Sequence, residues 1–105
     1  MKKLNWVRMW KLENIGFINM KIKKYGANWC AACIELEAQL KALNLDFEAI
    51  NTDKFPNILK ERNTNEIPFV DIFDDSGKLL GTIKGCPDSS SELLEEINKI
   101  LNKNA

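Results

Sequence analysis

Histidine is missing from this 105-residue sequence, cysteine occurs only three times, and no long apolar run stands uninterrupted by charge. Without histidine, a tetrahedral zinc site built from one chain would need Cys30, Cys33, Cys86 and a carboxylate, an unusual donor set, so no metal is expected. Net charge is lacking as well, because 15 basic residues balance 15 acidic ones. That balance removes the electrostatic pull toward nucleic acid that a basic domain exerts, and no nucleic-acid binding is expected. The start Met1-Lys2-Lys3 carries the charge of a secretory leader, but Arg8, Lys11 and Glu13 interrupt the apolar stretch such a leader needs, and no segment is long enough to span a bilayer. The expectation is a cytoplasmic protein with no membrane attachment, in a compartment where Cys-x-x-Cys serves metals or catalysis more often than structural disulfides.

What remains is the composition of one soluble domain, 45% hydrophobic and 29% charged. Residues 1–17 form an N-terminal extension in which Leu4, Val7, Trp10 and Ile15 recur loosely like one face of a short helix. Trp6 and Trp10 need burial, which favours a helix packed on the domain over a partner-binding arm. Residues 18–105 form the domain itself, with no internal repeat or linker.

Within the domain the pattern predicts a strand over 18–27, more polar than usual because of Lys21, Lys23 and Lys24, and a helix from Cys30 to Leu43 with Cys33, Leu36, Leu40 and Leu43 on one face. Asp46–Ile50 reads as a second strand, parallel to the first because a helix joins them. A short helix over Phe55–Arg62 follows, with Pro56 in its first turn. Phe69–Phe73 and Lys78–Ile83, joined by the turn Asp74-Asp75-Ser76-Gly77, read as a hairpin. Ser89 and Glu92 can open a last helix with a capping box, ahead of Leu93, Leu94, Ile97, Ile100 and Leu101. The fold class is therefore α/β, in the order β-α-β-α-β-β-α, with a four-stranded mixed sheet flanked by helices.

The chemistry-bearing stretch is Trp29-Cys30-Ala31-Ala32-Cys33, which sets two thiols where a strand gives way to a helix. A helix N-terminus carries about half a positive charge and unpaired N–H groups that stabilise a thiolate, so redox chemistry suits the position. The spacing alone also serves zinc. Cys33 falls on the inward stripe of the helix, whereas Cys30 at its first turn is expected to project to the surface, giving one accessible and one sheltered sulfur.

Taken together, Trp before Cys-x-x-Cys, the run Ala49-Ile50-Asn51-Thr52-Asp53 with Pro56, Ile67-Pro68 before a strand, the glycine-containing hairpin and Gly85 resemble the thioredoxin superfamily over roughly residues 20–101. Tyr25-Gly26 and the short leader look instead like glutaredoxins, so the chain is similar to the small glutaredoxin-like thioredoxins. The resemblance implies a thioredoxin-like fold, a cis Pro68 opposite the redox pair, and a substrate strand held by the backbone of Ile67. It also places Gly85 and Cys86 beside Cys30. Trp29 is then expected to shield the sulfurs and offer an apolar surface to substrate, with simple packing as the alternative.

Four positions depart from the thioredoxin pattern. Ala31-Ala32 replaces Gly-Pro between the cysteines, Ile34 replaces the usual lysine after the second cysteine, the following helix has no proline, and Lys24 stands where thioredoxins bury an aspartate. Lys24 is either a solvated or snorkelling lysine or, with its ammonium behind the thiols, a group that favours thiolate. Cys86 is either a small hydrophobe or a third thiol able to exchange with Cys30 or to join two molecules. The function that follows is a monomeric thiol–disulfide oxidoreductase exchanging the Cys30–Cys33 dithiol with disulfides in proteins. No bound cofactor is needed, and electrons come from a thioredoxin reductase or glutathione. The alternatives are a glutathione-dependent glutaredoxin and a non-catalytic binding module that keeps only the fold.

Overall fold

Residues 20–104 are described by the structure, a computed structural model. The helix expected over 1–17 lies outside them. Seven elements follow in order: β1 (Lys21–Gly26), α1 (Ala31–Ala42), β2 (Glu48–Asn51), α2 (Asn57–Glu61), β3 (Phe69–Phe73), β4 (Leu79–Lys84) and α3 (Ser90–Lys103). They form one mixed sheet in the order β2-β1-β3-β4, with β1 parallel to β2 and antiparallel to β3, and β3 antiparallel to β4. This is the α/β arrangement expected from the sequence.

Side chains alternate across a strand, so the sheet has two faces of different character. Ile22 on β1, Val70 and Ile72 on β3 and Ile83 on β4 meet Leu36 and Leu40 from α1 and Leu93 and Ile97 from α3 in one apolar core. Gly81 permits this contact, since a Cβ there would lie 3.0 Å from Ile100 on α3. On the opposite face the rings of Tyr25 and Phe69 stack with centroids 4.5 Å apart, and the Arg62 guanidinium lies 4.8 Å above Phe69. Arg62 donates to both carboxylate oxygens of Asp71, and the Thr82 hydroxyl donates to the same group at 2.7 Å. Burial pushes the Asp71 carboxyl up, but the hydrogen bonds from Arg62 and Thr82 outweigh it and hold the group below its ordinary value.

The polar character of β1 is thereby explained. Lys23 stands 5.3 Å from the Phe73 ring centroid, and Lys24 is paired with a carboxylate of α1. Element ends differ from expectation by small amounts. α2 is shorter than Phe55–Arg62, because Pro56 serves as its N-cap without a side-chain cap bond and Arg62 as its C-cap. At α3 the Ser89 hydroxyl accepts from the Glu92 N–H at 3.2 Å, while the Glu92 carboxylate reaches one residue further back, to the Asp88 N–H at 3.3 Å. Among the described residues no helix is long and apolar enough to cross a membrane.

Candidate active site

The site is built at the junction between β1 and α1. Gly26 ends β1, and the Thr52 N–H donates to its carbonyl at 2.9 Å, which ties the ends of β1 and β2 together. The chain then turns through Ala27–Trp29, closed by the Cys30 N–H donating to the Ala27 carbonyl at 3.2 Å. Cys30 has extended backbone and is the N-cap of α1, where its sulfur accepts from the Cys33 N–H at 3.1 Å. A helix N-terminal N–H aimed at a sulfur is the arrangement that stabilises a thiolate.

Cys30 and Cys33 are joined as a disulfide, with Cα atoms 5.2 Å apart. Cys33 is 1% exposed and Cys30 8%. Cys30 is thus more covered than its place in the first turn suggests, because the bridge draws it inward where it packs with Ala27, Cys33 and Ile67. Its access is through a groove of about 500 Å3 that also touches Trp29, Arg62, Ile67, Pro68, Lys84 and Gly85. A larger hollow of about 750 Å3, between Pro56, Lys60 and the 63–66 loop, is lined by no cysteine and lies off the redox pair.

Each expected site residue can now be located. Trp29 is 72% exposed, and its indole N–H donates to Asp53 at 2.8 Å, which holds the ring at the rim of the groove. The Ile67–Pro68 peptide bond is cis. The Pro68 carbonyl accepts from the Gly85 N–H at 2.9 Å, with Gly85 at φ +79°, a conformation that glycine adopts without a Cβ clash. The backbone N–H and carbonyl of Ile67 take no hydrogen bond from the other described residues.

Lys24 is 7% exposed, and its ammonium donates to Glu37 at 2.8 Å. Cys86 packs against the main core rather than against Cys30, with the Gln39 amide 3.6 Å from its sulfur and the Pro87 carbonyl 3.3 Å away. Burial, then Glu35 and Asp88, push the Cys86 thiol up, which disfavours its thiolate. Among the described residues no three histidine, cysteine, aspartate or glutamate side chains converge as metal ligands.

Four contributors were not singled out from the sequence. Asp53, named only within the run 49–53 of the resemblance, anchors Trp29. Glu37, one helical turn after Cys33, pairs with Lys24. Gly26 leaves room for the second sulfur, since a Cβ there would lie 2.8 Å from Cys33 Sγ. Arg62 joins the groove from the C-cap of α2. The helical period, placing 33 and 37 on one face, is the only local signal for any of them.

No protein-family model matches the chain, and no curated protein sequence does. Solved structures do match. Oxidised mitochondrial thioredoxin 3 from Saccharomyces cerevisiae is 24% identical with a TM-score of 0.61, over 77% of this chain and 78% of that one. Thioredoxin from Fasciola hepatica is 21% identical with a TM-score of 0.62, covering 83% and 84% of the two chains. The reduced Schistosoma mansoni thioredoxin pre-protein is 20% identical with a TM-score of 0.61, covering 78% and 79%. This chain has the thioredoxin-like fold. In that fold the Cys-x-x-Cys pair sits at the N-terminus of α1 with the cis-proline loop across the groove from it.

Proposed function

We propose that the chain is a thiol–disulfide oxidoreductase acting on disulfides in proteins. The observation that carries this reading is the inequality of two bonded sulfurs: Cys30 borders an open groove at a helix N-terminus, and Cys33 is sealed behind it. In the reduced protein the Cys30 thiolate attacks one sulfur of the substrate disulfide, and the other substrate sulfur leaves as a thiolate and is protonated. Cys33 then loses its proton and attacks Cys30, forming the 30–33 bridge and releasing the second substrate thiol. The substrate disulfide gains two electrons and the cysteine pair loses them.

The backbone groups of Ile67, which take no hydrogen bond among the described residues, suit an extended substrate segment, which strand-like hydrogen bonding would hold beside Cys30. Trp29, exposed at the rim of the groove, offers apolar surface to it. The likeness to thioredoxins supports the same reading. The cycle closes when a thioredoxin reductase or glutathione reduces the bridge, a supply that fits a cytoplasmic setting.

The decisive experiment uses Cys33→Ser. With the resolving sulfur gone, covalent Cys30–substrate adducts should accumulate and multiple turnover should stop, while Cys30→Ser forms no adduct. Normal turnover by Cys33→Ser would overturn the assignment. Running the native protein with NADPH and thioredoxin reductase, against NADPH, glutathione and glutathione reductase, separates the two electron sources.

A further inference from the structure

Resolution of the mixed disulfide requires Cys33 to ionise, yet Cys33 is 1% exposed and packs with the apolar Ala27 and Ile67. Burial of that kind disfavours a thiolate. Something must offset it if the second step is to run near neutral pH.

A charged group at hand is Lys24. It lies on the same face of β1 as Ile22 and Gly26, where α1 packs, and is the only charged residue of the three. The point beside Gly26 that a Cβ would occupy is 2.8 Å from Cys33 Sγ and 3.8 Å from Lys24 Cε, so the two side chains flank one small space. Its Nζ donates to Glu37 Oε2 at 2.8 Å, and Glu37, partly open to solvent one turn beyond Cys33, also takes Lys41 at 3.4 Å. The hydrogen bond from Lys24 holds the Glu37 carboxyl below its ordinary value, as an ionised pair requires.

We propose, building on the oxidoreductase reading above, that Lys24 is a positioning residue for the resolving step: its ammonium, held in place by Glu37, stabilises the buried Cys33 as its thiolate forms. Among the described residues, the other groups on the facing elements leave that task to it. Val70, opposite Lys24 on β3, is apolar, as are Leu93 and Ile97 of α3. Asp53 stands at the Trp29 rim, on the Cys30 side. Glu35 and Asp88 act on Cys86 instead. The chain of dependence is short: Glu37 holds the Lys24 ammonium in place, and Lys24 stabilises Cys33 when its proton leaves.

The test separates the two sulfurs in time. Reduced protein in a Cys86→Ala background is mixed with limiting dithiobis(nitrobenzoate), whose thiol product absorbs visible light. Attack by Cys30 releases the first equivalent, and attack by Cys33 on the mixed disulfide releases the second. Lys24→Met should move the midpoint of the second-phase pH profile up by about one unit, making that phase about tenfold slower below the midpoint. The first phase should change much less, and Lys24→Arg, which keeps the charge, should restore the second. The double variant Lys24→Met/Glu37→Gln leaves no unpaired buried charge, only the exposed Lys41 without its partner, and should show the same shift, so a folding defect in the single variant does not block the test. Second-phase profiles that superimpose on wild type in either form would overturn the proposal. Absence of any first-phase release in the Cys86→Ala protein would instead overturn the oxidoreductase reading on which it rests.

Discussion

Two buried ion pairs lie on opposite faces of the same sheet, and they are built differently. Arg62–Asp71 is complete: Asp71 is 2% exposed, accepts from both guanidinium nitrogens and from Thr82, and the guanidinium lies over Phe69. Lys24–Glu37 has, like Arg62–Asp71, one partner partly open to water, but it rests on a single hydrogen bond and its buried end abuts the site of Cys33. A pair held by several convergent hydrogen bonds holds a fold in one arrangement. A pair held by one hydrogen bond beside a sulfur can respond when that sulfur gains charge. Burial alone therefore does not say what a charge is for; the completeness of its partners does.

Removing the cation from each pair should break this comparison most visibly. Arg62→Met strands the Asp71 carboxylate in the interior and should cost about 3–5 kcal/mol of stability. Lys24→Met leaves Glu37 able to turn to water and should cost under about 1 kcal/mol. Chemical denaturation of both variants measures the difference, and equal losses would erase the distinction drawn between the pairs.

A smaller effect should come from Gly26, which belongs to the Lys24 face. Gly26→Ala forces a Cβ to within 2.8 Å of Cys33 Sγ and 3.0 Å of Cys33 Cβ, so α1 must shift. Overpacking of this kind costs about 1–3 kcal/mol. The loss should be accompanied by a changed rate of the second thiol release, because the sulfur that moves is Cys33.

The mildest test is pH. Asp71 binds its proton less tightly in the folded protein than at its ordinary value of 3.8, so the stability it contributes is present above that value and is lost as pH falls through the lower folded value. Thermal unfolding followed downward from neutral pH should show this acid loss. In Arg62→Met the sign reverses at this residue: burial without the cation raises the carboxyl, and protonation then relieves the destabilisation instead of causing it.

Much of this molecule was legible before any coordinates. The stripe Cys33, Leu36, Leu40 gave α1 and its buried face, since a 3.6-residue period needs no information from elsewhere in the chain. Ser89 with Glu92 marked the start of α3 for the same local reason, and Phe69–Phe73 emerged with the expected bounds. The Cys30–Cys33 pair at a helix start was readable as a redox-or-metal motif from spacing and position, and Trp29 entered through the resemblance to thioredoxins. Less legible were facts that depend on which strands become neighbours. Lys24 looked as suited to solvent as to burial, because its partner Glu37 lies 13 residues away on another element. Cys86 looked like a neighbour of Cys30, but a one-residue step past Gly85 turns it from the groove into the core beside Gln39.

The sequence by itself determined the order of elements, the apolar face of each helix and the place of two thiols at a helix start, because each is written in short-range periodicity and in helix-end chemistry. Only the tertiary structure decided which charges are buried, what each is paired with, and that the accessible sulfur opens on the groove under the cis-proline loop. Those outcomes follow from pairing β1 with β3 and laying α1 across them, contacts between residues far apart in the chain that no local pattern encodes.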